Sequence, residues 1–216
     1  MNLSVIDLLT VAALAFFGGR LALNAGRVAR SDAARRRSVE IVRGLRPRHF
    51  LRAPLAFLLV VIVALALLQV PGLSFGWWTA LGGTGNIVTG STTRTAGTAW
   101  EWIIPAVFLS IVFPLLPLFA EREEVLFRLG AENWSTGRRA RRGVEFGLIH
   151  LIMGIPIAVA LALSAGGWYF TWAYLRGWRQ GGQAAGLLES TRSHLAYNPE
   201  ILAIAAAALI AYGRLA

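Results

Sequence analysis

The chain has 216 residues, 56% of them hydrophobic, with a mean hydropathy of +0.59 and a formal net charge of +10. A soluble domain carries roughly 45–50% apolar residues, so this composition points to lipid and excludes an ordinary water-soluble globule. The chain has no cysteine, which excludes disulfides and thiolate chemistry, and all 21 basic residues are arginine, a bias suggesting a GC-rich bacterial genome.

The first apolar run, Val5 to Leu23, is interrupted by Asp7 and Arg20. It reads as a membrane span, with a helix lying in the interface as the competing reading. No basic segment or small-residue cleavage site precedes Arg20, so a cleaved signal peptide is not expected. Arg27 to Arg52 then holds nine arginines against Asp32 and Glu40; His49 falls here and reads as a loop residue. Pro54 to Leu68 is uncharged and forms a second span. A Gly/Thr-rich loop, 71–99, has Arg94 alone as a basic residue. Trp77, Trp78, Trp100 and Trp102 around it read as an aromatic belt at the membrane surface, with partner contact as the alternative.

Trp102 to Ala120 is a third uncharged run, followed by six arginines between Glu121 and Arg142. Phe146 to Leu175 carries no formal charge and is too long for one crossing of about 20 residues. Gly166-Gly167 is the natural place to fold it into a hairpin. Three arginines lie in Arg176 to Arg192, and Ile201 to Gly213 is the last apolar run.

Basic residues in short loops stay cytoplasmic. Arg-rich segments (24–52, 121–143, 176–195) alternate with the Gly/Thr-rich one (71–99). The fold expected is therefore all-α: a polytopic transmembrane bundle of about six spans with its N-terminus outside. Residues 1–99 form a two-span region and 100–216 a helical core. The arginine segment 27–52 lacks interleaved aromatics, so contact with anionic lipid is favoured over nucleic acid.

The polar residues at the inner ends of the spans carry the chemistry. Ionisable groups in or beside lipid are costly and mark functional sites. Glu124 and Arg128 share a helical face at i, i+4, leaving Glu123 about 100° away and free to handle a proton. Phe146 and His150 share another face, and His194 and Asn198 a third. Two neutral donors side by side suit an oxyanion. The competing readings are a solvated ion-pair cluster, interhelical hydrogen bonding by His150, and a polar cap at His194. Pro199 fits a helix only with a kink or break. There is no His-Glu-x-x-His, no Gly-x-Ser-x-Gly, and no lysine in Gly82-Gly83-Thr84-Gly85 to cradle phosphate.

Glu123-Glu124-x-x-x-Arg128, Phe146-x-x-x-His150 and His194-x-x-x-Asn198, in that order, resemble the motif series of the CPBP intramembrane proteases, the type II CAAX prenyl endopeptidases and bacteriocin-processing proteins. The resemblance covers about residues 100–215. It implies a membrane peptidase of the bacterial cytoplasmic membrane whose site opens to the cytosol. Glu123 and His150 would activate water, Glu124 and Arg128 would position the first motif, and His194 and Asn198 would hold the oxyanion. No cofactor follows from the residues. The histidines and carboxylates offer enough ligand types for a divalent metal such as zinc, without a spacing that demands one. The partners implied are the lipid bilayer and a peptide or membrane-protein substrate; nucleic acid is not among them. The rival reading is a non-catalytic scaffold or immunity protein with a membrane-protein partner. A transporter is disfavoured because the polar residues cluster on one side.

Overall fold

The computed structural model describes residues 5–83 and 95–213, and every regular element within them is helical. Along the chain run α1 (Val5–Ala29), α2 (Asp32–Arg43), α3 (Pro47–Leu68), α4 (Trp77–Ala80), α5 (Trp100–Arg128), a 3-10 turn (Ala131–Asn133), α6 (Thr136–Ile149), a second 3-10 turn (His150–Met153) and α7 (Ile157–Gly213). Three segments are long and apolar enough to cross a membrane: Leu8–Ala29, Pro47–Leu68 and Trp100–Asn133. Leu9, Leu55, Ile62, Val107 and Phe113 stand exposed on them, as hydrocarbon-facing side chains do. Arg94 lies outside the described residues.

Local chemistry sets the helix ends. Ser31 caps α2 by accepting the Ala34 N–H at 3.2 Å, and Ser135 caps α6 by accepting the Arg138 N–H at 3.3 Å. Pro47 opens α3, where its missing N–H costs nothing. Gly130, at φ +87°, lets the chain leave α5.

The hairpin expected at Gly166-Gly167 forms elsewhere, at residues 150–156. There the second 3-10 turn, Gly154 at φ +75° and Pro156 interrupt the helix. The loop after α3 closes over this turn. Phe75 and Leu73 carbonyls accept the Ile157 and Ala158 N–H groups at 3.0 and 2.8 Å, satisfying donors that a helix start leaves orphaned. Trp77 Nε1–H donates to the Leu151 carbonyl at 2.7 Å, and Trp78 is buried. Of the four tryptophans of the expected aromatic belt, Trp78 is therefore internal, Trp77 and Trp102 are half-buried, and Trp100 remains exposed.

Gly166 and Gly167 stay helical; Gly167 serves close packing instead of turning. A Cβ at Gly167 would stand 2.7 Å from the Gly143 carbonyl oxygen, and one at Gly147 would stand 2.3 Å from that of Ala160. Thus α6 and the first arm of α7 run antiparallel almost backbone to backbone, as small residues permit. The break in α7 is at Gly181-Gly182, with Gly182 at φ +73°. It folds the arms 157–180 and 183–213 into a second hairpin. Pro199 does not break its arm, since within α7 only those two glycines depart from helical dihedrals.

Ala53 and Val60 of α3 share one buried cluster with Phe127, Phe146, Phe170 and Tyr197. The Arg-rich segments meet at one end of the bundle. Arg37 Nε donates to Glu121 at 2.7 Å and Arg48 Nη2 to Glu189 at 2.6 Å. His49 is no loop residue: it lies buried in the first turn of α3. Its Nδ1 accepts the Arg46 N–H at 2.9 Å, so the neutral ring carries its proton on Nε2, 3.2 Å from the Glu189 carboxylate. Burial pushes the Glu189 carboxyl up, but the bonds from His49 and Arg48 outweigh it and hold it at about 2.

Two outcomes follow. Gly167→Val overpacks the α6–α7 contact and costs about 1–3 kcal/mol, whereas Gly19→Ala, with nothing within 4 Å of its Cβ, leaves thermal unfolding unchanged or improved. Glu189, depressed in the folded state, contributes stability that is complete above its unfolded value of about 4.3 and is lost as pH falls toward about 2. The unfolding-temperature advantage of wild type over Glu189→Gln therefore shrinks from about pH 5 to pH 2; a pH-independent advantage contradicts this.

Candidate active site

The last turns of α5 bring Glu121, Glu123, Glu124 and Arg128 to the Arg-rich end of the bundle. Glu124 and Arg128 are wholly buried, and Arg128 Nη1 donates to Glu124 Oε1 at 3.1 Å. Arg128 Nη2 donates to the Gly167 carbonyl at 3.2 Å. The guanidinium also lies 4.1 Å from the centre of the Phe146 ring, with Phe127 and Phe170 beside it. A buried cation needs such compensation, and a π face adds to it where water is excluded.

The same Glu124 Oε1 accepts from His194 Nδ1 at 2.9 Å. Because a carboxylate accepts, the His194 proton is on Nδ1, and in the neutral ring Nε2 is a free lone pair. Phe170 stacks on this ring at 4.3 Å and Phe146 meets it edge-on at 5.6 Å. His194 Nε2 lies 3.8 Å from Glu123 Oε2, too far for a direct hydrogen bond and within reach of a bridging molecule. Glu123 is 36% exposed, yet its Oε2 is buried without a partner, as are Glu124 Oε2 and Arg128 Nε. One end of the cluster is therefore locked and the other is open to a ligand.

His150 stands on the far side of Phe146. Its Nδ1 donates to the Phe146 carbonyl at 2.8 Å, and the two rings are 5.0 Å apart. No described carboxylate lies within ion-pair distance of it. Phe146 thus touches both histidines, but Glu123 meets His194 and not His150. Asn198 is half-buried one turn beyond His194 and makes no side-chain hydrogen bond to a described residue. Among the described residues no group of three or more His, Asp or Glu side chains is placed to hold a metal ion. The ligand types for zinc are present, but their placement does not fit it.

The residue pattern did not reveal a brace beneath the site. Arg37 of α2 binds Glu121, one turn before Glu124. Arg192, two residues before His194, donates to the Ile41 and Glu40 carbonyls at the end of α2, both at 3.3 Å. Ile41 packs with Leu116 of α5 and Leu195 of α7. So α2 ties together the two helices that supply Glu124 and His194. Nine arginines in one segment gave no signal of which one reaches Glu121.

Comparison of the chain with protein families, with curated proteins and with solved structures found no match.

The locked and open ends behave differently on substitution. Arg128→Met leaves Glu124 buried without its cation and lowers stability by about 3–5 kcal/mol. Glu123→Gln, at the half-exposed end, keeps the unfolding temperature close to wild type. Thermal unfolding of the two variants in one detergent measures the contrast; equal losses would show that Glu123 is structural too.

Proposed function

We propose that this chain is an intramembrane peptidase that hydrolyses a peptide bond at the membrane–cytosol boundary, as the resemblance to the CPBP proteases implies. The observation that carries the reading is the 3.8 Å approach of Glu123 Oε2 to His194 Nε2 at the open end of an otherwise locked cluster. A water held between a carboxylate and an imidazole lone pair loses a proton as it attacks a carbonyl carbon. Glu123 is the base. His194, its tautomer fixed by Glu124, holds the water through its Nε2 lone pair, and Glu123 then passes the proton it took to the leaving amine. This gives His194 a part in water activation beyond the oxyanion role implied by the motif series. Glu124 and Arg128 position His194 and α5. His150 and Asn198 flank the site, with Asn198 as the side-chain donor for the oxyanion. No step passes through a metal.

Six spans complete the reading: α1, α3, α5, α6 with its 3-10 turn, the first arm of α7 up to Leu175, and the last apolar run, Ile201 to Gly213, on the second arm. The N-terminus lies outside the bacterial cytoplasmic membrane and the Arg-rich end with the site faces the cytosol. The substrate is a peptide or membrane protein presented from the bilayer. A second reading, a scaffold or immunity partner for a membrane protein, draws on the saturation of Glu124 Oε1 by two partners, which a purely structural cluster would also show.

The test is cleavage by the full chain in proteoliposomes of a library of transmembrane and prenylated C-terminal peptides, with products read by mass spectrometry. Loss of a general base slows hydrolysis by about 10²–10⁴-fold, so Glu123→Gln, which folds, leaves almost no product. Cleavage by Glu123→Gln at the wild-type rate overturns the mechanism. No cleavage by either protein, together with loss of a co-purifying membrane protein in the variant, favours the scaffold.

A further inference from the structure

The helix that braces the site also presents a cationic cleft that the peptidase reading does not use. Its walls are Arg35, Arg36, Val39, Glu40, Arg43 and Gly44, and its volume is about 590 Å³. The two acidic groups within reach are already engaged: Asp32 pairs with Arg35, and Glu40 with Arg37 at 2.7 Å. Arg36 and Arg43 are exposed and pair with no described carboxylate. The cleft thus keeps uncompensated positive charge.

Its position suits a particular ligand. The α2 helix joins α1 to α3, two helices long and apolar enough to span, so it lies where a bilayer ends. Val39 and Val42 are exposed beside the free arginines, which makes this face apolar and cationic together, the character of a helix seated among lipid headgroups. The guanidinium is the side chain best matched to the oxygens of a phosphate. The cleft floor is continuous with the site brace. Gly44 lies against the Arg192 guanidinium so closely that a Cβ there would meet its Cζ at 2.0 Å.

We propose that the α2 cleft binds an anionic phosphate group through Arg36 and Arg43, with Arg35 at its edge, and that the source is an anionic lipid headgroup. The proposal does not depend on peptide hydrolysis, because it concerns residues outside the Glu123–His194 cluster.

Two titrations of the purified full chain in neutral detergent separate the sources. Native mass spectrometry reads bound phosphatidylglycerol, and equilibrium dialysis reads radiolabelled inorganic phosphate. Wild type retains phosphatidylglycerol. Arg36→Gln with Arg43→Gln weakens retention, by roughly fivefold for each arginine removed. Arg179→Gln, an exposed charge elsewhere, leaves retention unchanged, and Arg36→Lys with Arg43→Lys restores most of it. If inorganic phosphate binds in the same arginine-dependent way and phosphatidylglycerol does not, the lipid source is overturned. If the double Gln variant binds both ligands as wild type does, or wild type binds neither, the site itself is overturned.

Discussion

One carboxylate oxygen, Glu124 Oε1, accepts from both Arg128 and His194 in a place from which water is excluded. Removing a carboxylate and a guanidinium from water costs several kcal/mol each, offset only where geometry and further hydrogen bonds are good. The rest of the bundle supplies that compensation. The Gly167 carbonyl takes a second guanidinium N–H, and three phenylalanine rings surround the cation. These contacts come from α5, α6 and both arms of α7, so the ion pair and the helix arrangement require each other.

That requirement explains features remote from the charges. Gly167 packs against Gly143 of α6, which the absence of side chains at both allows, and its carbonyl reaches Arg128 of α5. Phe146 lies between the two histidines and under the guanidinium, which places α6 rotationally. At the Arg-rich end, α2 fastens α5 to α7 through Arg37 and Arg192, and the His49–Glu189 bond fastens α3 to α7. The charges at the Arg-rich end thus become the joints of the bundle.

Much of this was legible in the sequence, and the limits were physical. Length and hydropathy marked the helices, because apolar runs of this size have few other uses. The i, i+4 spacing of Glu124 and Arg128 defined a shared face, and the pair forms there. Glycine was ambiguous: Gly166-Gly167 and Gly181-Gly182 look alike in sequence, but the first pair packs a helix and the second breaks one. Only the neighbours decide. His49 was opaque for a related reason, since its partner lies 140 residues away and no local spacing signals it. The pairing of Glu123 with His194, rather than His150, likewise depends on how α7 folds back.

The functional account rests on an asymmetry within the cluster. Glu124 fixes the His194 proton on Nδ1, and the unprotonated Nε2 then faces Glu123 across a gap suited to water. Nitrogen NMR of the full chain labelled at histidine, at neutral pH and with the signal assigned through His194→Gln, reads that proton directly. The expected result is that the neutral form of the His194 ring carries its proton on Nδ1 and leaves Nε2 bare. A neutral His194 ring that carries its proton on Nε2 would contradict it.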